Sequence, residues 1–153
     1  MSNMSKLMRV TCCVTAILLY SVPGFAQTHV GGRVGVSADP DQFVFGGHIE
    51  TQPVVTDLTF RPNIEVGVGN NTTLVALNFE FAYWIPLKNQ WRLYVGAGPA
   101  ANLYNHRGRG GSNTVGGLNF LAGTQHDNGL FFELKVGAID SPSLKFNVGY
   151  VFR

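Results

Sequence analysis

Residues 130–152 read LFFELKVGAIDSPSLKFNVGYVF, and the order of side chains in this stretch decides the fold. Phe132 and Leu134 belong to one alternating series, while Glu133 falls in the other. After residues 140–143, whose Asp-Ser-Pro-Ser composition is typical of a turn, the alternation resumes. A period of two residues predicts β-strand, because successive side chains point to opposite faces. Each arm is about ten residues long, which is enough to cross a bilayer when tilted.

The same alternation recurs along the chain and predicts eight strands joined by turns, with no helical periodicity after the N-terminal segment. The longest connections are predicted over residues 51–57 and 102–113. Such a series of strands predicts an all-β antiparallel meander that closes into an eight-stranded up-and-down barrel. The predicted strands are Val30–Ala38, Gln42–Glu50, Leu58–Val68, Thr73–Ile85, Trp91–Ala101, Thr114–Gln125, Leu130–Ile139 and Leu144–Phe152.

The N-terminal residues have the pattern of an export signal. Lys6 and Arg9 precede an apolar run over residues 10–22, and small residues allow cleavage after Ala26. We therefore predict a signal peptide over residues 1–26 and a single barrel domain over residues 27–153. Both cysteines of the chain lie in the predicted signal peptide, so the exported part has no disulfide.

The charge composition argues against a nucleic-acid partner. Without Lys6 and Arg9, nine basic residues balance nine acidic ones. Charged residues make up only 13% of the chain, whereas about a quarter is usual for soluble domains. The composition is that of a protein with little charged surface.

The charged side chains inside the predicted strands share one face. All nine lie opposite the aromatic and aliphatic residues, and the remaining nine fall in turns, loops or the last position. That face is also rich in glycine, which would weaken a solvent-facing strand but suits the narrow interior of an eight-stranded barrel. We therefore predict that the apolar face contacts lipid and the charged face lines the lumen. The nine charged residues are Arg33, Glu50, Arg61, Glu65, Glu80, Arg92, Glu133, Lys135 and Lys145.

These features together resemble the small bacterial outer-membrane β-barrels of the OmpA/OmpX-like and opacity type. The resemblance implies a location in the outer membrane, contact with its lipid and lipopolysaccharide, and a monomer. It also implies that the last strand, through Tyr150 and Phe152, is the assembly signal read by the barrel-assembly machinery. Here Arg153 follows the terminal aromatic residue, whereas such barrels usually end on it.

The predicted lumen charges must be paired or hydrated, because an isolated buried ion is very costly. Five cations and four anions predict a network that fills the barrel. A narrow ion path, gated by re-pairing of arginine and glutamate, is the sharper alternative.

Catalytic and metal sites have weaker support. His106 lies near Ser112 in a predicted outer loop, but no serine and histidine share a strand face at a spacing that would build a triad. His106, Arg107 and Arg109 are candidates for binding lipopolysaccharide phosphates or a host surface. No Cys/His cluster has metal-ligand spacing, and His48 is predicted to be a lumen hydrogen-bonder beside Glu50.

The sequence thus favours a non-enzymatic outer-membrane barrel with a structural or surface-interaction role, without cofactor or metal. Two alternatives remain open. One is a soluble periplasmic, lipocalin-like barrel that encloses its aromatic face around a small apolar ligand. The other is an outer-membrane lipid-modifying enzyme or narrow channel.

Overall fold

The computed structural model describes residues 28–108 and 111–153, which form only strands and their connections. No helix in these ranges is long and apolar enough to cross a bilayer. The predicted signal peptide and Arg109 lie outside the described residues. The strands are β1 (His29–Ala38), β2 (Gln42–Glu50), β3 (Pro53–Val55), β4 (Leu58–Val68), β5 (Thr72–Pro86), β6 (Trp91–His106), β7 (Gly111–His126), β8 (Leu130–Ile139) and β9 (Leu144–Phe152).

Eight of these strands form a closed ring. The order is β2-β1-β9-β8-β7-β6-β5-β4, and pairing of β2 with β4 closes it. Every pairing is antiparallel. The three-residue β3 pairs only with the beginning of β4 and stands outside the ring. The predicted eight-stranded antiparallel up-and-down barrel is confirmed.

The structure corrects two predicted connections. The one predicted over residues 51–57 contains the short strand β3. The sequence placed a long loop over residues 102–113, but β6 continues to His106 and β7 begins at Gly111, in register from Asn102↔Val115 to His106↔Gly111. Residues 102–113 have the composition of a loop, but hydrogen bonds to another hairpin hold this extension of β6 and β7. The Asn102 side-chain amide and the Tyr104 hydroxyl donate hydrogen bonds to the carbonyl oxygen of Asp140, at 2.9 and 3.0 Å.

The barrel is built inside out relative to a soluble protein. Phe79, Phe132 and Phe146 point outward and are 47, 37 and 45% exposed, respectively. Arg61 and Glu80 point inward and are 2 and 1% exposed. Such a large exposed apolar surface is rare in soluble monomers and is the arrangement found in transmembrane barrels. The lipocalin-like alternative requires the opposite arrangement.

The antiparallel order gives the barrel two distinct ends. The turns between β1 and β2, β4 and β5, β6 and β7, and β8 and β9 lie at one end, which we call the loop end. The start of β1, the end of β9 and the remaining connections lie at the other, which we call the terminal end.

Candidate functional site: the closed barrel interior

Glu133 on β8 is the centre of a first group of ion pairs. Its carboxylate accepts hydrogen bonds from Arg33 Nη1 at 2.6 Å, Arg61 Nη1 at 3.3 Å and the Tyr94 hydroxyl at 2.9 Å. Arg61 also reaches Glu50 at 3.4 Å. Since β8, β1, β4, β6 and β2 supply these side chains, the group joins strands on different sides of the barrel.

Lys135, two residues further along β8, holds the second group. Its ammonium lies 2.7 Å from Glu65 and 2.8 Å from Glu80, and 3.6 Å from Glu133 of the first group. Lys145 on β9 lies 2.5 Å from the other oxygen of Glu65. Arg33 also contacts Glu65, at 3.2 Å, so the two groups form one continuous network.

This network contains four cations and four carboxylates, all with at most 5% exposure. Its formal charge is therefore zero. The ninth predicted residue, Arg92, lies elsewhere: it is the second residue of β6, near the terminal end, with its guanidinium over the Trp84 ring at 4.6 Å. The structure thus brings together eight of the nine predicted lumen charges and leaves Arg92 at the mouth.

Three asparagines complete the network and were not singled out from the sequence. Asn63 Nδ2 donates to Glu80 at 2.7 Å, Asn78 donates to Asn63 at 2.7 Å, and Asn119 donates to both Asn78 and Glu80. All three are nearly fully buried. Their position on the charged parity of β4, β5 and β7 was the available signal.

Three inward glycines make room for three inward rings. A Cβ atom at Gly31 would collide with the His48 imidazole, one at Gly123 with the Tyr94 ring, and one at Gly149 with the Phe131 ring.

These rings surround the two arginines. Arg61 lies over Tyr94 at 4.6 Å, and Arg33 lies over Phe131 at 5.5 Å. Cation–π contacts of this kind stabilise desolvated guanidinium groups. His48 lies as predicted beside Glu50, at 3.6 Å, and its Nε2 is 3.4 Å from Arg61 Nη2. The inward glycines therefore leave the space in which these rings pack around Arg33 and Arg61.

The loop end of the lumen is covered by the turn between β8 and β9. Ser141 and Pro142 are buried, and Asn102 Nδ2 donates to the Ser141 hydroxyl at 3.2 Å. Gly117 and Gly137 lie directly beneath this turn, where a Cβ atom would collide with Ser141 or with the Pro142 carbonyl. The turn folds inward over the ion-pair network.

At the terminal end, Trp84 forms the floor of a cavity of about 450 Å³. Its indole Nε1 donates to the Thr59 hydroxyl at 3.0 Å, and its ring packs against Tyr94 at 4.9 Å between centroids. Arg92 and Arg153 line the cavity. Polar and charged side chains therefore line this recess beside the indole.

The predicted surface-loop residues are separate from the lumen. His106 is exposed, stacks against Tyr104 and contacts the Thr72 hydroxyl through Nδ1 at 3.1 Å. The register pairs Ser112 with Asn105, one residue before His106. Arg107 is exposed immediately after β6, and its amide donates to the Asn71 carbonyl at 2.9 Å.

The predicted assembly residues lie on the outer surface of β9. Tyr150 and Phe152 are 44 and 63% exposed, with their rings 5.4 Å apart in a T-shaped arrangement. Arg153 turns back to the terminal end, where its Nη1 donates to the Asp127 carbonyl at 3.1 Å. Within the described ranges, no group of three or more His, Cys, Asp or Glu side chains has the arrangement of a metal site.

Comparison with solved structures identifies the architecture. The N-terminal β-barrel domain of Pseudomonas aeruginosa OprF superposes with a TM-score of 0.61 at 16% identity, covering 84% of this chain and 99% of that one. Neisserial surface protein A superposes with a TM-score of 0.57 at 14% identity, covering 82% of this chain and 94% of that one. The fold is that of the small outer-membrane β-barrels. No protein-family model and no curated protein matches the sequence.

At these identities the similarity concerns the fold alone. It does not extend to the ion-pair network, to the rings around Arg33 and Arg61, or to the terminal-end cavity, whose roles depend on the residues of this chain.

Proposed function

We propose that this chain is a monomeric bacterial outer-membrane β-barrel protein with a structural or surface-interaction role and no catalytic activity. The proposal rests on one arrangement: an apolar outer surface surrounds an interior filled by eight charged side chains whose formal charges sum to zero. In this membrane the loop end faces outward and the terminal end faces the periplasm. The shared fold with two outer-membrane barrels supports the location.

The barrel is proposed to be closed to ions. Arg61, Glu133 and Lys135 are among the largest fully buried side chains of the described chain, and Glu133 lies within 4 Å of both cations. Opening a water path would require several ion pairs to separate together, each in a low-dielectric setting where an uncompensated charge is costly. Planar-bilayer recordings of the purified protein should therefore show no unitary conductance, and reproducible single-channel steps would contradict this part of the proposal.

A catalytic role has little geometric support. Among the described residues, His106 contacts the threonine hydroxyl of Thr72, and it lies in an exposed position that offers no shielded site for a substrate. A hydrolase requires a nucleophile and base that are oriented by a third group and shielded from bulk water. Unchanged lipid A and phospholipid profiles after expression are the expected result.

The exposed loop end is proposed to be the interacting surface. His106, Arg107 and Arg109 would meet lipopolysaccharide phosphates or a host surface there, since guanidinium groups bind phosphate oxygens with two parallel hydrogen bonds. At the other end, Tyr150 and Phe152 are proposed to be read by the barrel-assembly machinery. Replacing Phe152 with Ala should lower the yield of folded barrel in cells without changing unfolding of the refolded protein.

Membrane fractionation and single-cysteine labelling test the location and orientation together. Residues 27–153 contain no cysteine, so an introduced thiol is the only reactive one once the predicted signal peptide is removed. In intact cells a membrane-impermeant maleimide should label Gly108→Cys at the loop end and leave Lys88→Cys at the terminal end unlabelled until the outer membrane is permeabilised. A chain recovered in the soluble periplasmic fraction, or equal labelling of both thiols in intact cells, would refute the proposal.

A further inference from the structure

We propose that the terminal-end cavity binds the carboxylate group of a small acid or peptide, which Arg92 and Arg153 hold above Trp84. The cavity's access from the periplasm rests on the proposed orientation, whereas the binding chemistry does not. Its volume of about 450 Å³ falls within the 300–1,000 Å³ typical of ligand sites.

The edge of the Arg92 guanidinium group, which carries its N–H donors, is available to a ligand, whereas one of its faces is covered. It takes part in none of the ion pairs of the interior network, and its Nε is buried without a hydrogen-bond partner among the described residues. One face of the guanidinium is covered by Trp84, at 4.6 Å from the ring centroid. Since guanidinium donors lie in its plane, the N–H bonds of the two Nη atoms, rather than that of the buried Nε, are the ones that a carboxylate oxygen in the cavity can accept.

Arg153 supplies a second guanidinium from the last position of the chain. Nη1 is fixed by the Asp127 carbonyl at 3.1 Å. When the Gln125 amide is oriented to donate to Glu50 at 3.2 Å, its oxygen accepts from Arg153 Nη2 at 3.3 Å. These contacts hold the side chain folded over the mouth, because they tie it to β7 and its turn.

Two carboxylates, Glu50 and Asp57, line the cavity together with Arg92 and Arg153, so the formal charge of the lining is zero. Glu50 is engaged by Arg61 of the interior network at 3.4 Å. Among the described residues, neither Arg92 nor Arg153 forms an ion pair within 4 Å. A carboxylate ligand would therefore meet two guanidinium groups that are not engaged in salt bridges, and paired guanidinium–carboxylate hydrogen bonds are among the strongest available.

Trp84 provides a built-in reporter for the test. The chain has two tryptophans, so the Trp91→Phe variant leaves Trp84 as the sole indole. Folded Trp91→Phe protein in detergent micelles is titrated with sodium acetate, with N-acetyl-Ala-Ala as the free acid, and with N-acetyl-Ala-Ala amide of matched size. We expect a saturable change in Trp84 fluorescence with at least one acid and at least tenfold weaker binding of the amide.

Variants separate the proposed contact from general effects of charge. Arg92→Gln should weaken acid binding at least tenfold and Arg92→Lys to a lesser degree, because lysine keeps the charge but loses the planar donors. Lys88→Gln removes an exposed cation at the same end that does not line the cavity, so it is the matched control and should bind normally. Heat-modifiable gel mobility confirms that each variant is folded.

Saturation by acetate would point to small acids, and saturation by the peptide alone would point to peptide carboxylates; both support the site. No saturation with either acid, an equal response to the amide, or unchanged affinity in Arg92→Gln would overturn it. These measurements use purified barrel, so a chain that binds acid but does not fractionate with the outer membrane would overturn the proposed location alone.

Discussion

Replacing Lys135 with methionine should be among the most destabilising substitutions in this barrel. The ammonium lies within 4 Å of Glu65, Glu80 and Glu133, so its removal leaves three cations facing four buried carboxylates. Breaking a buried ion pair by removing one partner costs about 3–5 kcal/mol, because the remaining charge is uncompensated. That is a large fraction of the roughly 5–15 kcal/mol that stabilises a typical domain. Urea unfolding in lipid vesicles, followed by fluorescence and gel mobility, measures the loss.

A compensating substitution shows whether neutrality or packing is responsible. Adding Glu80→Gln to Lys135→Met restores equal numbers of opposite charges, so the double variant should be more stable than the sum of the two single losses predicts, by about 2 kcal/mol. Lys88→Met removes a cation from the exposed connection after β5 and should change stability by less than about 0.5 kcal/mol. The reasoning fails if Lys135→Met unfolds at the wild-type urea midpoint, or if the two single losses simply add.

Three further substitutions test other parts of the structure by the same unfolding assay. Leu134→Arg places a charge on the outer face and should cost about 2–4 kcal/mol in a bilayer, where a neutral effect would argue against lipid contact. Gly31→Ala should cost about 1–3 kcal/mol by displacing His48, whereas Gly32→Ala faces open space and should be nearly neutral; equal losses would contradict the packing role. Ile139→Gly should stabilise by about 1 kcal/mol, since this β-branched residue has φ of 64°, and a loss would show that its side chain matters more.

The direction of the side chains could be predicted from the sequence because it depends on a local rule. In a strand the alternation of two fixes which residues share a face, and the charged parity of β4 and β8 identified Arg61, Glu65 and Glu133 as interior residues. Most strand limits could also be predicted, because turn-forming pairs interrupt the alternation at Asp39-Pro40, Asn70-Asn71 and Asn128-Gly129.

The partners of those side chains could not be predicted in the same way. Arg33 and Glu133 are 100 positions apart and meet because β1, β9 and β8 are consecutive in the closed ring. The height at which they meet depends on the stagger of every strand between them. The balance of four cations and four anions thus emerged only with the tertiary structure, which places Arg92 at the rim.

The hairpin of β6 and β7 shows a second limit. Asn102, Asn105 and Ser112 have turn-like chemistry, so the sequence indicated a loop. The contacts of the extension with Asp140, in another hairpin, stabilise it as strand. The local composition therefore predicted a loop wrongly, because contacts with a distant part of the chain stabilise the strand.

The most direct test of the inside-out arrangement is a nitroxide scan of residues 118–122 in β7, with the barrel refolded in lipid vesicles. Single labels at Phe120 and Ala122 should show high accessibility to oxygen, which concentrates in the bilayer, and labels at Asn119 and Leu121 should be shielded from it. Alternation with a period of two in this phase is the predicted result. The opposite phase, or uniform accessibility to a water-soluble relaxation agent along the strand, would contradict the account.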